Sequence, residues 1–260
     1  MTHREELNGK AKIDFAEMIR KHVQDRPLPK RFYKKAAFSP VEGGYAITLD
    51  GRTVKTPLKS PLSVRSRALA EALAAEWEAQ ETHIDPAAMP LTRLTNTAID
   101  RVLPDPERIV EEIVAYAQSD LLCYRADGPE PLVERQDSHW NPILDWAADT
   151  LGARLVTAVG IIHRPQPEEA IVAVRRHLQS MDANGLTAVH NMTTLSGSAV
   201  VAIAVAGGHI SSEQGWTAAH VDEDWQAEQW GHDEAARRRQ EMRRAEFLSA
   251  FEFLQLSRAA

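Results

Sequence analysis

Alternating apolar and polar residues predict a β-hairpin in the first quarter of the chain. The segment Tyr45–Leu49 alternates, and the dipeptide Asp50-Gly51 after it suits a two-residue hairpin turn. This turn would fold Arg52–Thr56 back onto the first strand. Because a lone hairpin is only marginally stable in water, a helix is expected to cover its apolar face.

The spacing of apolar residues becomes helical after the hairpin. Ser63 is predicted to cap a helix that runs to about Glu81. Leu69, Leu73 and Trp77 would lie on its inward face. The hairpin and this helix together predict a small mixed domain.

A proline marks the expected domain boundary. Asp85-Pro86 breaks the helix, and from Pro90 onward most segments repeat with a helical period. We therefore expect an α+β fold, with a small β-rich α/β domain at residues 1–86 and a larger, mainly helical domain at 87–260. Residues 5–30 could form either a short helix or a loosely held N-terminal arm, and the sequence favours neither.

The helical half contains a nearly charge-free segment, Leu186–Ala206, which is predicted to be a single helix in the middle of a bundle. Asn184-Gly185 should form the turn that precedes it. Earlier in the chain, Pro142 interrupts the helical pattern of Leu132–Leu151, where a kink or a fresh helix start is expected because proline lacks a backbone donor.

The segment Ala218–Leu256 is predicted to be one interrupted helix or two helices in series, with the break at Gly231. Ser211 and Gln214 should form a capping box just before it. Its inward stripe would pack over the charge-free helix, which makes this segment an outer layer of the bundle.

The same segment carries the most distinctive polar pattern of the chain. Trp225 and Trp230 lie among the acidic residues Asp222, Glu223, Asp224 and Glu228. Five arginines then surround Glu241: Arg237, Arg238, Arg239, Arg243 and Arg244. Tryptophans among carboxylates are more typical of a binding surface than of an active site. The sequence permits two roles for Glu241, a structural hub that holds the last helix in place or a contact with a partner.

The composition is that of an ordinary globular protein, with 43% hydrophobic and 26% charged residues. Charge is unevenly distributed. Residues 1–62 carry 13 Lys and Arg against 7 Asp and Glu, whereas the rest carries 17 against 30. An acidic body disfavours general nucleic-acid binding, which requires a concentrated basic face.

Cys123 is the only cysteine, so the chain can form neither an intrachain disulfide nor a cysteine-based zinc cluster. The first residues resemble neither a secretory signal nor a good transit peptide. The longest apolar run, Ala199–Ala206, is far shorter than the roughly 20 residues of a membrane span. A cytoplasmic protein without membrane insertion is expected.

Most catalytic signatures are missing. The sequence has no phosphate-binding loop and no His-Glu-x-x-His motif, and Leu195–Ala199 departs from a nucleophile elbow in its glycine positions. The spacing of His220, Asp222 and His232 does not favour a metal site. Neither a cofactor nor a metal is expected.

Several motifs resemble one family as a set and in order. They are Arg31–Lys34, Asp50–Pro57, Met89–Arg101, Tyr116–Arg125, Arg135–Trp146, Leu195–Ser198 and Asp222–Gly231. Spread over about residues 30–256, they resemble the assembly chaperone of the F-type ATP synthase catalytic sector, the member specific for the α subunit.

The resemblance implies a protein without enzymatic activity that binds the newly made α subunit and shields its β-facing surface until assembly. It also implies a small β/α domain followed by a larger helical one. The chain is then expected to be a bacterial homologue acting in the cytoplasm, or else a mature form, whereas eukaryotic members act in mitochondria. A monomeric state is expected when free. The residues predicted to form or support the binding surface are Trp225, Glu228, Trp230, Glu234 and Glu241.

Two alternatives stay open from the residues alone. One is a hydrolase-like enzyme of unknown type, using an interdomain cleft with Asp120, His139 and Asp145. The other is a generic helical scaffold for some other partner with an acidic surface.

Overall fold

The computed structural model describes residues 27–160, 162–231 and 233–259. The expected helix or arm at residues 5–30 therefore lies almost wholly outside the described residues. The described chain begins with a small antiparallel sheet and continues into ten α-helices. The predicted α+β class is confirmed.

The sheet has four strands: β1 (Ala36–Val41), β2 (Gly44–Leu49), β3 (Arg52–Thr53) and β4 (Ser63–Val64). Strand β2 is central and pairs antiparallel with the other three. The predicted hairpin is confirmed, with Leu49 opposite Arg52. Asp50 and Gly51 both have positive φ, +48° and +79°, as a type I′ turn requires.

Helix α1 (Arg67–Glu78) covers the sheet, and the predicted cap at Ser63 is wrong. Ser63 pairs with Ala46 as part of β4, so its backbone is committed to the sheet. Ser66 caps the helix instead, its hydroxyl accepting from the backbone N–H of Leu69 at 3.3 Å. The apolar stripe lies as predicted, with Leu69 and Leu73 fully buried.

The remaining helices follow in chain order. They are α2 (Pro90–Thr97), α3 (Pro106–Ala117), α4 (Glu130–Trp146), α5 (Glu168–Gln179), α6 (Ala183–Ser196), α7 (Ala199–Ala206), α8 (Ser212–Ala219), α9 (Val221–Trp230) and α10 (Glu234–Arg258). Helices α2 and α4 each end in a wider π-helical turn, Ala98–Val102 and Ala147–Leu151. Two short strands, β5 (Tyr124–Arg125) before α4 and β6 (Ala158–Val159) after it, pair in parallel.

Pro142 does not start a new helix, because α4 continues through it to Trp146. A kink at Pro142 stays a prediction. One expectation about a turn before a helix is wrong. Asn184 and Gly185 do not form a turn outside a helix, because Asp182 caps α6 with its carboxylate and draws both into the first helical turn. The predicted capping box of Ser211 and Gln214 is present at α8.

The single charge-free helix is in fact two helices. Gly197 ends α6 with φ +75°, a conformation that glycine adopts at low cost, and Ser198 caps α7. Every residue of α7 is buried, so the expectation of a central apolar helix holds for α7 itself.

A buried carboxylate holds this break in place. Asp120 is fully buried and accepts from the Ser198 hydroxyl at 2.7 Å and from the Val200 N–H at 3.1 Å. It also accepts from the Leu122 N–H at 3.1 Å. The segment after α3 is thereby fixed to the start of α7.

Polar contacts also connect α1 with later helices. The Glu76 carboxylate on α1 accepts from the N–H groups of Leu91 and Thr92 at 2.7 and 2.8 Å, at the first turn of α2. The Ser66 hydroxyl donates to the Leu256 carbonyl at 2.6 Å. The domain boundary near residue 86 stays a prediction. Among the described residues, no helix combines the length and apolar character needed to cross a bilayer.

The buried carboxylate predicts a pH dependence of stability. Burial raises the pKa of Asp120 to about 6, despite the hydrogen bonds that favour its charged form. An aspartate in an unfolded chain has a pKa of about 3.9. The folded protein therefore holds this proton more tightly, and the Asp120 contribution to the free energy of unfolding falls as pH rises from about 4 to about 6.

We expect the difference in unfolding free energy between the wild type and Asp120→Asn to shrink by up to about 3 kcal/mol over that pH interval, since the variant cannot titrate at this position. Urea unfolding at a series of pH values measures the difference. Asp145→Asn, at an exposed position, is the control and should show no such change. A constant difference for Asp120→Asn would contradict the assignment.

Candidate functional site

Helices α9 and α10 form the outer segment that the sequence singled out. The predicted break is confirmed, because α9 ends at Trp230 and α10 begins at Glu234. Asp233 caps α10, accepting from the N–H groups of Ala235 and Ala236. The turn at Gly231 therefore separates an acidic helix from an arginine-rich one. His232 lies outside the described residues.

Helix α9 is fastened to α4 by an arginine. Both guanidinium nitrogens of Arg135 donate to the Glu228 carboxylate at 2.9 Å. The same guanidinium lies 5.1 Å from the centre of the Trp225 ring. The Arg135 hydrogen bonds hold the pKa of Glu228 below its usual value. Glu228 and Trp225 thus orient α9 relative to α4 through their contacts with Arg135.

Two further side-chain amides fix the acidic helix. Gln136 on α4 donates to the Asp222 carboxylate at 2.7 Å, and Gln240 on α10 donates to Asp224 at 3.0 Å. The buried Trp140 indole on α4 also donates to the Ala218 carbonyl of α8 at 2.7 Å. Carboxylates of α9 are therefore held by neighbouring helices on two sides.

Trp230 has a different environment from Trp225. Its side chain is 81% exposed, the most exposed of the large hydrophobic residues described. Trp225 is half-buried. The Trp230 ring is therefore a large apolar surface at the end of α9, beside acidic residues and outside the core.

The first turns of α10 are surrounded by solvent. Every residue from Asp233 to Arg239 is exposed. Glu234 pairs with Arg237 and Arg238 at 3.0 and 3.1 Å, which are helix-stabilising pairs of small energy. The buried residues of α10 come later: Phe247, Ala250, Phe253 and Leu254. Its N-terminal part, Glu234–Met242, extends beyond the core, and we call it the polar arm.

Glu241 is not a structural hub, because that role would require its side chain to face the protein. Its side chain is 63% exposed, and its ion pair is a long one, 3.8 Å to Arg237. Other residues hold the helix. Arg243 donates to the Leu195 carbonyl at 2.6 Å, and Arg244 pairs with Glu213 at 2.6 Å. Glu241 therefore faces solvent on the polar arm.

Sequence reasoning missed two residues of this region. Arg135 orients α9 from a distant helix, and nothing in the local pattern around it indicates that role. Met242, 49% exposed, is an apolar side chain on the polar arm. The isolated methionine within an arginine-rich stretch was the available signal.

The residues of the enzyme alternative are not presented together at the surface. Asp120 is fully buried with its oxygens occupied, whereas Asp145 is exposed. Burial raises the pKa of the Cys123 thiol to about 12, so it stays protonated and unreactive at neutral pH.

His220 is a structural residue in this fold. It is buried, its ring stacks on Trp216, and its Nδ1 lies 2.8 Å from the Trp216 carbonyl oxygen. Across residues 27–160, 162–231 and 233–259, no three His, Cys, Asp or Glu side chains form a group that could hold a metal ion.

Comparison with known proteins gives consistent matches. A family model described as ATP12 chaperone protein matches residues 30–148. The protein named "Protein atp12, mitochondrial" from Schizosaccharomyces pombe is 26% identical over 226 residues, spanning 81% of this chain and 78% of its own.

Two solved structures are similar over most of the chain. Atp12 from Paracoccus denitrificans is 40% identical with a TM-score of 0.83, covering 88% of this chain and 99% of its own. The Atu1473 protein from Agrobacterium tumefaciens is 45% identical with a TM-score of 0.84, covering 96% and 92%. Since sequence and fold agree over nearly the whole of the Paracoccus protein, the chain belongs to the ATP12 chaperone family.

Proposed function

We propose that this protein, an assembly chaperone of the F-type ATP synthase, acts by binding the unassembled α subunit and shielding its β-facing surface until assembly. The observation that carries this proposal is the exposed Trp230 between the acidic helix α9 and the polar arm of α10. We call this region the acidic face; it consists of Asp222–Glu241.

An unassembled subunit presents apolar surface that would otherwise drive aggregation. A tryptophan is the residue type that most often anchors a protein interface, because it buries a large area with few rotatable bonds. Trp230 is already displayed to solvent, so binding would bury it without unfolding any part of the chaperone.

The charges of the acidic face select the partner surface. Asp222–Glu241 contains seven Asp and Glu residues against three arginines, and all three arginines come after Glu234. Such a field favours a client surface that is basic around its apolar centre, and it speeds association more than it raises affinity. A chaperone with this balance can release its client when the β subunit competes for the same surface.

Glu228 and Trp225 have a supporting role in this proposal. Their contacts with Arg135 hold α9 at a fixed angle, so Trp230 is presented from a rigid helix. Glu234 and Glu241 would contact the client directly from the polar arm.

The remaining elements of the proposal concern the protein's state and location. We place its action in the bacterial cytoplasm, supported by identities of 40% and 45% to the two bacterial proteins against 26% to the mitochondrial one. We also propose that it works as a free monomer and by binding alone, without catalysis.

Trp230→Ala tests the anchor. We expect at least about a tenfold loss of α subunit binding, since hot-spot tryptophans contribute on the order of 2 kcal/mol or more. The amount of α subunit that co-purifies with the tagged chaperone measures it. Leu103→Ala is the control, at a large apolar residue that is 66% exposed elsewhere. Undiminished binding by the folded Trp230→Ala protein would contradict the anchor.

Glu241→Lys tests the polar arm. Because Glu241 is exposed and weakly paired, the free energy of unfolding of the variant should equal that of the wild type within about 0.5 kcal/mol, as measured by urea unfolding. Its co-purification with the α subunit should fall severalfold through charge repulsion. Glu252→Lys, on an exposed position of the same helix, is the matched control. Equal binding by both variants would remove Glu241 from the client surface.

A further inference from the structure

An open cleft of about 500 Å³ lies at the edge of the N-terminal sheet and contains none of the acidic-face residues. Its lining includes Phe32, Tyr33, Arg52, Thr53, Lys55 and Trp77. Aromatic rings, basic side chains and the edge strand β3 meet there. Each of these three groups has unused binding capacity.

The aromatic side of the cleft is rigid and partly exposed. The Tyr33 hydroxyl donates to the Trp77 carbonyl at 2.5 Å, which fixes the two residues to each other. Phe32 packs edge-on against Tyr33 and is 75% exposed. The exposed ring of Phe32 is therefore the apolar surface that a ligand in the cleft can cover.

The edge strand offers free backbone groups. The N–H of Val54 donates to the Ile47 carbonyl at 2.8 Å, and Thr53 lies opposite Thr48 in the ladder. In an antiparallel pair, hydrogen-bonded and non-hydrogen-bonded positions alternate. Thr53 occupies the second kind, so its N–H and C=O point away from β2. They can pair with an added extended chain.

The charged side chains of the cleft favour an acidic ligand. In the parts of the chain that the structure describes, neither Arg52 nor Lys55 has a carboxylate within ion-pair distance. The one carboxylate lining the cleft, Asp50, already accepts from the N–H groups of Lys34 and Lys35. Residues 27–62 carry seven Lys and Arg against two Asp and Glu.

We propose that this cleft binds an extended acidic peptide segment of the client, seated beside β3 with an aromatic or large aliphatic side chain against Phe32. The ligand backbone pairs with Thr53, and its carboxylates pair with Arg52 and Lys55. This deepens the proposed function and rests on it, giving the client a second contact with charge opposite to that of the acidic face. Two contacts on one chaperone raise the overall affinity through effective concentration.

The test uses the full chain and a fluorescein-labelled peptide that alternates glutamate with leucine. Fluorescence anisotropy should show saturable binding, and a peptide with lysine in place of glutamate should bind at least about tenfold more weakly. Lys55→Glu should weaken the glutamate peptide about tenfold, and Phe32→Ala severalfold. Lys59→Glu is the matched control, because Lys59 is exposed nearby but does not line the cleft.

The outcomes separate the cleft from the acidic face. If Lys55→Glu and Phe32→Ala weaken the peptide while Trp230→Ala does not, the cleft is the peptide site. Equal binding of the two peptides, or equal effects of Lys55→Glu and Lys59→Glu, would overturn the proposal. Loss of the α subunit on Trp230→Ala with no peptide binding at all would overturn the cleft alone and leave the proposed function standing.

Discussion

The buried carboxylate of Asp120 is the contact on which the helical part of the structure depends. It accepts hydrogen bonds from Ser198, Val200 and Leu122, and so fixes the loop after α3 to the break between α6 and α7. A charge buried in an apolar core is tolerated only with such partners. With them in place, the all-apolar α7 can lie at the centre of the bundle.

The outer helices are then placed by contact with α7. Gly215 on α8 lies so close to α7 that an added Cβ would come within 2.4 Å of a Val205 methyl carbon. From α8 the chain passes directly into α9, which Arg135 and Gln136 fasten to α4. The position of Trp230 at the end of α9 is therefore set by the packing of α8 on α7 and by the hydrogen bonds between α9 and α4. A rigid display of this kind lowers the entropy lost on binding.

Local patterns predicted the hairpin, the apolar stripe of α1, the break at Gly231 and the charge of α9, because each depends on neighbouring residues. The split at Gly197 was missed because the uninterrupted apolar pattern outweighed two local signals, the glycine that ends α6 and the serine that caps α7. The contact that holds the split, Asp120, lies far away in sequence. Ser63 was predicted to cap α1, but Ser66 does so, because pairing with β2 overrides the local capping preference of Ser63. For Glu241, the sequence places three arginines nearby but does not say which face of the helix meets solvent.

The acidic face and the α subunit form the central claim, and site-specific photocrosslinking tests it most directly. The photoreactive residue p-benzoylphenylalanine would be installed at position 230 and, in a separate protein, at position 103, which is also exposed. With the α subunit co-expressed, position 230 should crosslink to the α subunit and position 103 should not. A crosslink from position 103 alone, or co-purification of the α subunit without any crosslink at 230, would contradict the account.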